Sequence, residues 1–208
     1  MIEFNINGQK LSKIFIRNQY IFRDIDLTLT KGSRLGIIGS NGSGKSTMLK
    51  ILTAVLRPSS GNIIYRFAGN IIKPEHYSAH YGFVSPYLML YEEFSPLEHI
   101  KVNCRLRNLE YNEQKAKDDL EKVNLSKKHS EPIRTFSSGM KQRMKYVLAL
   151  MHNPEVLFLD EPTTNLDEDG IEIVHNIIEH HTSQGGALAI ATNDEREKLW
   201  CNEFIKIA

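Results

Sequence analysis

Only two cysteines, Cys104 and Cys201, occur in the 208 residues. Neither has a second Cys or His near it at metal-ligand spacing, so no disulfide framework or zinc site is indicated and free thiols in a reducing cytosol are expected. An excess of charge of either sign is also missing. With 26 Lys plus Arg against 25 Asp plus Glu, the formal net charge is +1. Such a chain has no general electrostatic attraction for nucleic acid or for a bare anionic membrane, and any anion it binds must be bound locally. Long apolar runs are lacking too: the longest, Tyr146–Met151, falls far short of the roughly 20 residues that cross a bilayer. The start, Met1 to Asn5, has no basic region followed by an apolar stretch, so no secretory signal is expected. There is no internal repeat and no low-complexity segment. What is present is an ordinary globular composition, 41% hydrophobic and 25% charged, at a length that suits one folding unit spanning 1–208.

Along the chain, the first 40 residues read as strands. They are Glu3–Ile6, then Lys13–Arg17, then a stretch in which Ile21, Ile25, Leu27 and Leu29 fall on one side. Leu35-Gly36-Ile37-Ile38 is apolar on both faces, as a buried parallel strand is. Met48, Leu52, Val55 and Leu56 then recur at helical spacing, with Pro58 to Gly61 predicted to end that helix. A middle section, 94–151, is helical in pattern and reads as an inserted lobe. Val156–Leu159 and Ala187–Ala191 are again buried-strand runs, separated by a helix predicted over about Asp169–His181. Strands alternating with helices imply an α/β fold with a mostly parallel sheet. The eight His show no ligand spacing and read as surface residues, and the single Trp200 is expected to pack the last helix.

Between the strand ending at Ile38 and the helix lies Gly39-Ser40-Asn41-Gly42-Ser43-Gly44-Lys45-Ser46-Thr47. It matches G-x-x-x-x-G-K-[ST] in the strand-to-helix context that the motif needs. Glycines let successive N–H groups point at phosphate oxygens, and the helix N-terminus adds its positive dipole end. Lys45 is expected to reach the β- and γ-phosphates of ATP, and Ser46 to ligate Mg²⁺. Asp160 and Glu161 come directly after the apolar run Val156–Leu159, which places them at the C-terminal edge of the sheet beside that loop. Asp160 is expected to hold Mg²⁺ through water and Glu161 to polarise the attacking water.

A third motif narrows the choice among nucleotide-binding functions. Phe136-Ser137-Ser138-Gly139-Met140 precedes a helix with apolar side chains at Met140, Met144, Val147, Leu148 and Met151, and Ser137 is a plausible N-cap. This run resembles the L-S-G-G-Q signature of the ATP-binding cassette (ABC) family. Asn153-Pro154, Asp160-Glu161-Pro162 and Thr164-Asn165-Leu166-Asp167 resemble the family's elements downstream of that signature, ending in the D-loop. The resemblance covers nearly the whole chain, and its compact form is similar to exporter-type cassettes, including the haem-exporter type.

That resemblance implies a P-loop NTPase core with a mostly parallel sheet, an N-terminal antiparallel β subdomain and an inserted helical subdomain. It implies an ATPase subunit of a transporter, a homodimer or heterodimer docked on a separate polytopic membrane subunit at the cytoplasmic face. Neither nucleic acid nor direct lipid insertion is expected. A helix from Gly139 to His152 would be about 21 Å long, so the signature should lie well away from Asp160 and Glu161 and serve the ATP of a second subunit. Ser137, Ser138, Gly139 and Asp167 are then nucleotide-binding across that interface. An aromatic upstream of the phosphate loop should stack on adenine, with Phe15 first and Tyr20 second. Tyr87, Met89 or Tyr91 should line the groove that receives the membrane subunit. The alternatives are a soluble ABC ATPase of translation or DNA repair, which lacks the expected second cassette or coiled coil here, and a small-molecule kinase, which leaves the signature unexplained.

Besides the signature itself, which has Ser138 for Gly and Met140 for Gln, two positions depart from the family pattern. Pro86 stands where a Gln is expected, and it has no polar side chain. Asn193 stands where a His is expected. It can donate to a γ-phosphate but cannot carry an imidazolium charge. Both point to hydrolysis that is slow or needs a partner to complete the site.

Overall fold

The structure, a computed structural model, describes residues 2–16 and 19–207. Two sheets and a helical lobe make it up. The first sheet is antiparallel, in order β2-β1-β4-β5, with β1 Phe4–Ile16, β2 Gln19–Thr30, β4 Ser60–Phe67 and β5 Asn70–Ile72. The second has five strands in order β6-β7-β8-β3-β9, with β3 Arg34–Ile38, β6 Tyr81–Val84, β7 Val156–Asp160, β8 Ala187–Thr192 and β9 Glu203–Lys206. Every pairing in it is parallel. The helices are α1 Lys45–Leu52, α2 Pro96–Leu106, α3 Glu113–Glu121, α4 Ser138–Leu150, α5 Glu168–Ser183 and the short α6 Glu195–Lys198. Among the described residues, no helix is long and apolar enough to cross a membrane.

Strand alternation places the two faces of the parallel sheet in different cores. Val156 and Phe158 of β7, with Ala187, Ala189 and Ala191 of β8, pack with Met48, Leu49 and Leu52 of α1 and with Phe4, Ile6 and Leu29 of the antiparallel sheet. Leu157, Leu159, Leu188 and Ile190 pack on the other face with Val174 and Ile178 of α5, Tyr146 of α4 and Trp200. Trp200 also lies 5.5 Å, ring to ring, from His175 of α5. A separate cluster of Ile100, Cys104, Leu120, Val123, Ile133, Met144 and Val147 holds α2, α3 and α4 together.

Three expectations are corrected. Phe4–Ile6 and Lys13–Ile16 of the two expected strands belong to one strand, β1, whose register slips past Gly8 and again near Lys13. Lys10, at φ 50°, kinks it while its N–H donates to Asp26. Arg17 lies outside the described residues. Helix α1 stops at Leu52 rather than at Pro58. Ala54 takes a left-handed φ of 59°, and the Leu56 N–H turns back to the Lys50 carbonyl, so Val55 faces out while Leu56 packs on the core.

The third correction concerns histidine, because His99 and His181 are buried. The Tyr91 N–H donates to His99 Nε2, leaving Nδ1 to donate to the Ser95 carbonyl. His181 Nε2 sits 3.2 Å from the Ala187 carbonyl, and burial pushes the ring's pKa down to about 4. His152, 3.0 Å from the Tyr81 carbonyl, is also lowered to about 4, by burial first and then by the Arg107 charge. Because both rings bind protons more weakly when folded than unfolded, their stabilisation is whole above about pH 6.5 and is lost as pH falls toward 4. The thermal midpoint should hold from pH 8 to 7 and fall steadily from 6.5 to 5, above the range where carboxylates titrate. A midpoint flat over that interval would contradict this account.

Candidate nucleotide site

The loop from Gly39 to Gly44 leaves β3 and turns straight into α1. Gly42 and Gly44 adopt φ of 80° and 109°, a region that side chains other than glycine rarely enter. At Gly44 the space is closed as well, since an added Cβ would come within 2.1 Å of Ile21 Cγ2. Gly44 is also the N-cap of α1 and has no side chain to take up the N–H groups of the first turn, which leaves them for a ligand or water. Lys45 is only 6% exposed, and its ammonium bends back along the loop to the Gly39 and Ser40 carbonyls, each at 3.0 Å. The Ser43 hydroxyl is buried without a protein partner. Uncapped N–H groups, an orphaned hydroxyl and a lysine resting on carbonyls form a donor set that fits a polyphosphate.

Strand β7 is buried along its whole length and ends on Asp160, 2% exposed. The Ser46 hydroxyl donates to Asp160 Oδ1 at 2.9 Å, and the Ser85 hydroxyl approaches Oδ2 at 3.4 Å. Burial raises the Asp160 pKa, opposed by the Ser46 hydrogen bond, while the neighbouring Glu161 charge adds to the rise. A carboxylate held against two hydroxyls in a dry place fits a divalent cation, which would favour its ionised form. Glu161 comes next at φ 47°, with its N–H donating to the Ala191 carbonyl at 3.0 Å.

Ser137 caps α4, its hydroxyl accepting the Met140 N–H at 3.2 Å, and both Ser137 and Ser138 are exposed. The Gln142 amide and the Tyr146 hydroxyl both donate to the Pro162 carbonyl. Helix α4 therefore passes the acid-bearing loop at its middle rather than at its end. From Gly139 to Tyr146, one of the residues that meet this loop, the helix axis advances about 10 Å. Asp167 caps α5 by accepting the Gly170 N–H at 2.9 Å, and Gly139 faces the Asn165 carbonyl, which a Cβ would approach to 3.0 Å.

The aromatic candidates lie at the surface. Phe15 and Tyr20 are 60% and 46% exposed, so neither is a core ring. Lys13 and Arg23 cover them, each cation 5.1 Å from its ring centre. Through Ile21 against Gly44, the β1–β2 hairpin comes alongside the phosphate loop. The Asn193 amide donates to Asn41 Oδ1 at 2.9 Å, joining the end of β8 to the tip of that loop. Tyr87, Met89 and Tyr91 are 81%, 91% and 70% exposed, a run of large apolar side chains facing outward.

Sequence reasoning assigned no role to Ser85, Lys145 or Glu197. Glu197, buried and pushed up by burial, accepts both the N–H and the hydroxyl of Thr163 and anchors the turn after Glu161. No local pattern marks it. For Ser85 the usable signal was its place beside the anomalous Pro86.

Residues 22–164 match the ABC transporter family. Among curated relatives, the chain is 33% identical over 180 residues to the cytochrome c biogenesis ATP-binding export protein CcmA of Methylococcus capsulatus, covering 85% of this chain and 84% of that protein. It is 32% identical over 161 residues to the ABC transporter ATP-binding protein YcbN of Bacillus subtilis, covering 76% of this chain but only 52% of that one, so this chain spans about half of YcbN's length. A solved dimeric ATP-binding cassette in a post-hydrolysis state with ADP and Pi shares the fold, with a TM-score of 0.82 and 21% identity over 97% of this chain and 94% of that one. With the glycine-rich loop Gly39–Thr47, the buried Asp160 and the Ser137-capped helix α4 beginning inside the matched residues 22–164, this chain belongs to the ABC transporter family as an ATP-binding subunit.

Proposed function

We propose that the chain, a single cassette over 1–208 with an inserted helical lobe over 94–151, binds Mg-ATP and couples its hydrolysis to a separate polytopic membrane subunit. The observation that carries this reading is the Ser46 hydroxyl of α1 on the buried Asp160 that ends β7, with the buried Lys45 next to Ser46 in the chain. Gly39 to Thr47 wrap the phosphates, Lys45 neutralises the β- and γ-oxygens, and Phe15, with Tyr20 second, stacks on adenine. Ser46 and Asp160 hold Mg²⁺, which when bound neutralises charge on the phosphate oxygens. Glu161 accepts a proton from the attacking water, and Asn193 donates to the γ-phosphate after releasing Asn41.

A second cassette, in the simplest case a copy of this chain, closes head to tail over the nucleotide. Ser137, Ser138 and Gly139 then meet the γ-phosphate from the other side, with Asp167 at the interface. Exposure of Ser137 and Ser138 at an N-terminus supports this, since nothing in their own subunit covers them. The exposed Tyr87, Met89 and Tyr91 form an apolar landing place for the membrane subunit, at the cytoplasmic face. Likeness to CcmA, named as an export protein, favours the exporter side of the family.

Pro86 offers Glu161 no polar group and Asn193 no imidazolium charge, so the isolated chain should bind Mg-ATP yet turn it over well below the range of about 1 to 10³ s⁻¹ of ordinary enzymes. Steady-state phosphate release with and without the membrane subunit checks this. Turnover by the isolated chain inside that range would contradict it. Co-purification of a polytopic subunit from membranes distinguishes a transporter from a soluble ATPase.

A further inference from the structure

We propose that Lys145 is a positioning residue: from α4 its ammonium staples the Ser85–Pro86 backbone so that the Ser85 hydroxyl stands against Asp160, beside the place where Pro86 offers no polar group. Lys145 is 9% exposed, in the middle of a helix that carries the signature at its N-terminus. Its Nζ donates to the carbonyls of Ser85 and Pro86, each at 3.0 Å. Burial alone accounts for the lowering of its pKa, and among the described residues no acid pairs with it. Burying an ammonium with only carbonyl partners is costly. Packing alone would be served better by an apolar side chain of the same length.

What the charge holds is a tight turn. The Ser85 carbonyl also accepts the Leu88 N–H at 3.2 Å, and the Ser85 hydroxyl accepts the Tyr87 N–H at 3.3 Å while facing Asp160 Oδ2 at 3.4 Å. One turn thus joins the signature helix, the acid at the end of β7 and the outward-facing Tyr87 to Tyr91 segment. Asp160 then has a hydroxyl on each oxygen, from Ser46 and from Ser85. Groups that orient a metal-binding carboxylate in this way typically change metal affinity by about 10- to 100-fold when removed.

This inference rests on reading the Asp160 site as an Mg-ATP site. The experiment titrates Mg²⁺ against the full-length chain with mant-ATP, following fluorescence, for the parent, Lys145→Met, Ser85→Ala and the double variant. The expected result is an Mg²⁺ half-saturation raised about 10-fold or more in Lys145→Met, a comparable rise in Ser85→Ala, and no further rise in the double variant, since the two act through one contact. Should Lys145→Met fail to fold, Ser85→Ala alone decides, because it removes a single hydroxyl. If the parent binds mant-ATP and the folded variants keep its Mg²⁺ requirement, with only the melting temperature changed, the staple is overturned and the site reading stands. A parent that binds no mant-ATP at any Mg²⁺ concentration overturns the site reading itself.

Discussion

Lys45→Ala should cost at least about 100-fold in ATP affinity, because charge-assisted hydrogen bonds contribute roughly 1.5–3 kcal/mol each and a lysine ammonium on β- and γ-oxygens makes two. The structure explains why nothing else can substitute. Lys45 is the buried cation of the loop, and its present partners, the Gly39 and Ser40 carbonyls, bear no charge and release it readily to a phosphate. Helix α1 is anchored by Met48, Leu49 and Leu52, which the substitution leaves in place. The variant should therefore stay folded while losing nucleotide. Titration with mant-ATP alongside a thermal melt separates the two, and an unchanged Kd would contradict the assignment.

Glu161→Gln should behave in the opposite way, keeping ATP and losing chemistry. A positioned general base contributes about 10²- to 10⁴-fold to rate, and glutamine keeps the shape of the side chain but cannot take a proton. Its backbone role survives, since the N–H to the Ala191 carbonyl does not depend on the side chain. Single-turnover hydrolysis should thus fall by about 10²-fold or more with ATP affinity unchanged. Equal rates in parent and variant would remove Glu161 from the catalytic role, and a joint loss of binding would mark it as structural.

Features with local causes could be read in advance, and those with distant causes could not. The glycine-rich turn between β3 and α1 was legible because its glycines answer a local demand: φ above zero at Gly42 and Gly44, and no room for a Cβ at Gly44. Strands β7 and β8 were legible because burial on both faces leaves unbroken apolar runs, and the cap at Ser137 because it acts within one helical turn. The early end of α1 was not legible. It depends on a left-handed Ala54, which nothing in the apolar spacing announces. Burial of His99 and His181 depends on backbone partners offered by neighbouring loops, and the Lys145 contact joins residues 60 apart in the chain. Long-range packing decides such contacts, and a single sequence carries no pattern for them. The mid-helix crossing of α4 over Pro162 belongs with these.

In the proposed arrangement ATP is held between two cassettes, cradled by Gly39 to Thr47 of one and capped by Ser137 to Gly139 of the other. Sedimentation velocity of Glu161→Gln at saturating Mg-ATP tests it most directly, because blocked hydrolysis should hold the closed state. The expected result is a species of twice the 23.8 kDa chain mass with Mg-ATP and a monomer without nucleotide. A protein that binds ATP to saturation yet sediments as a monomer would contradict it.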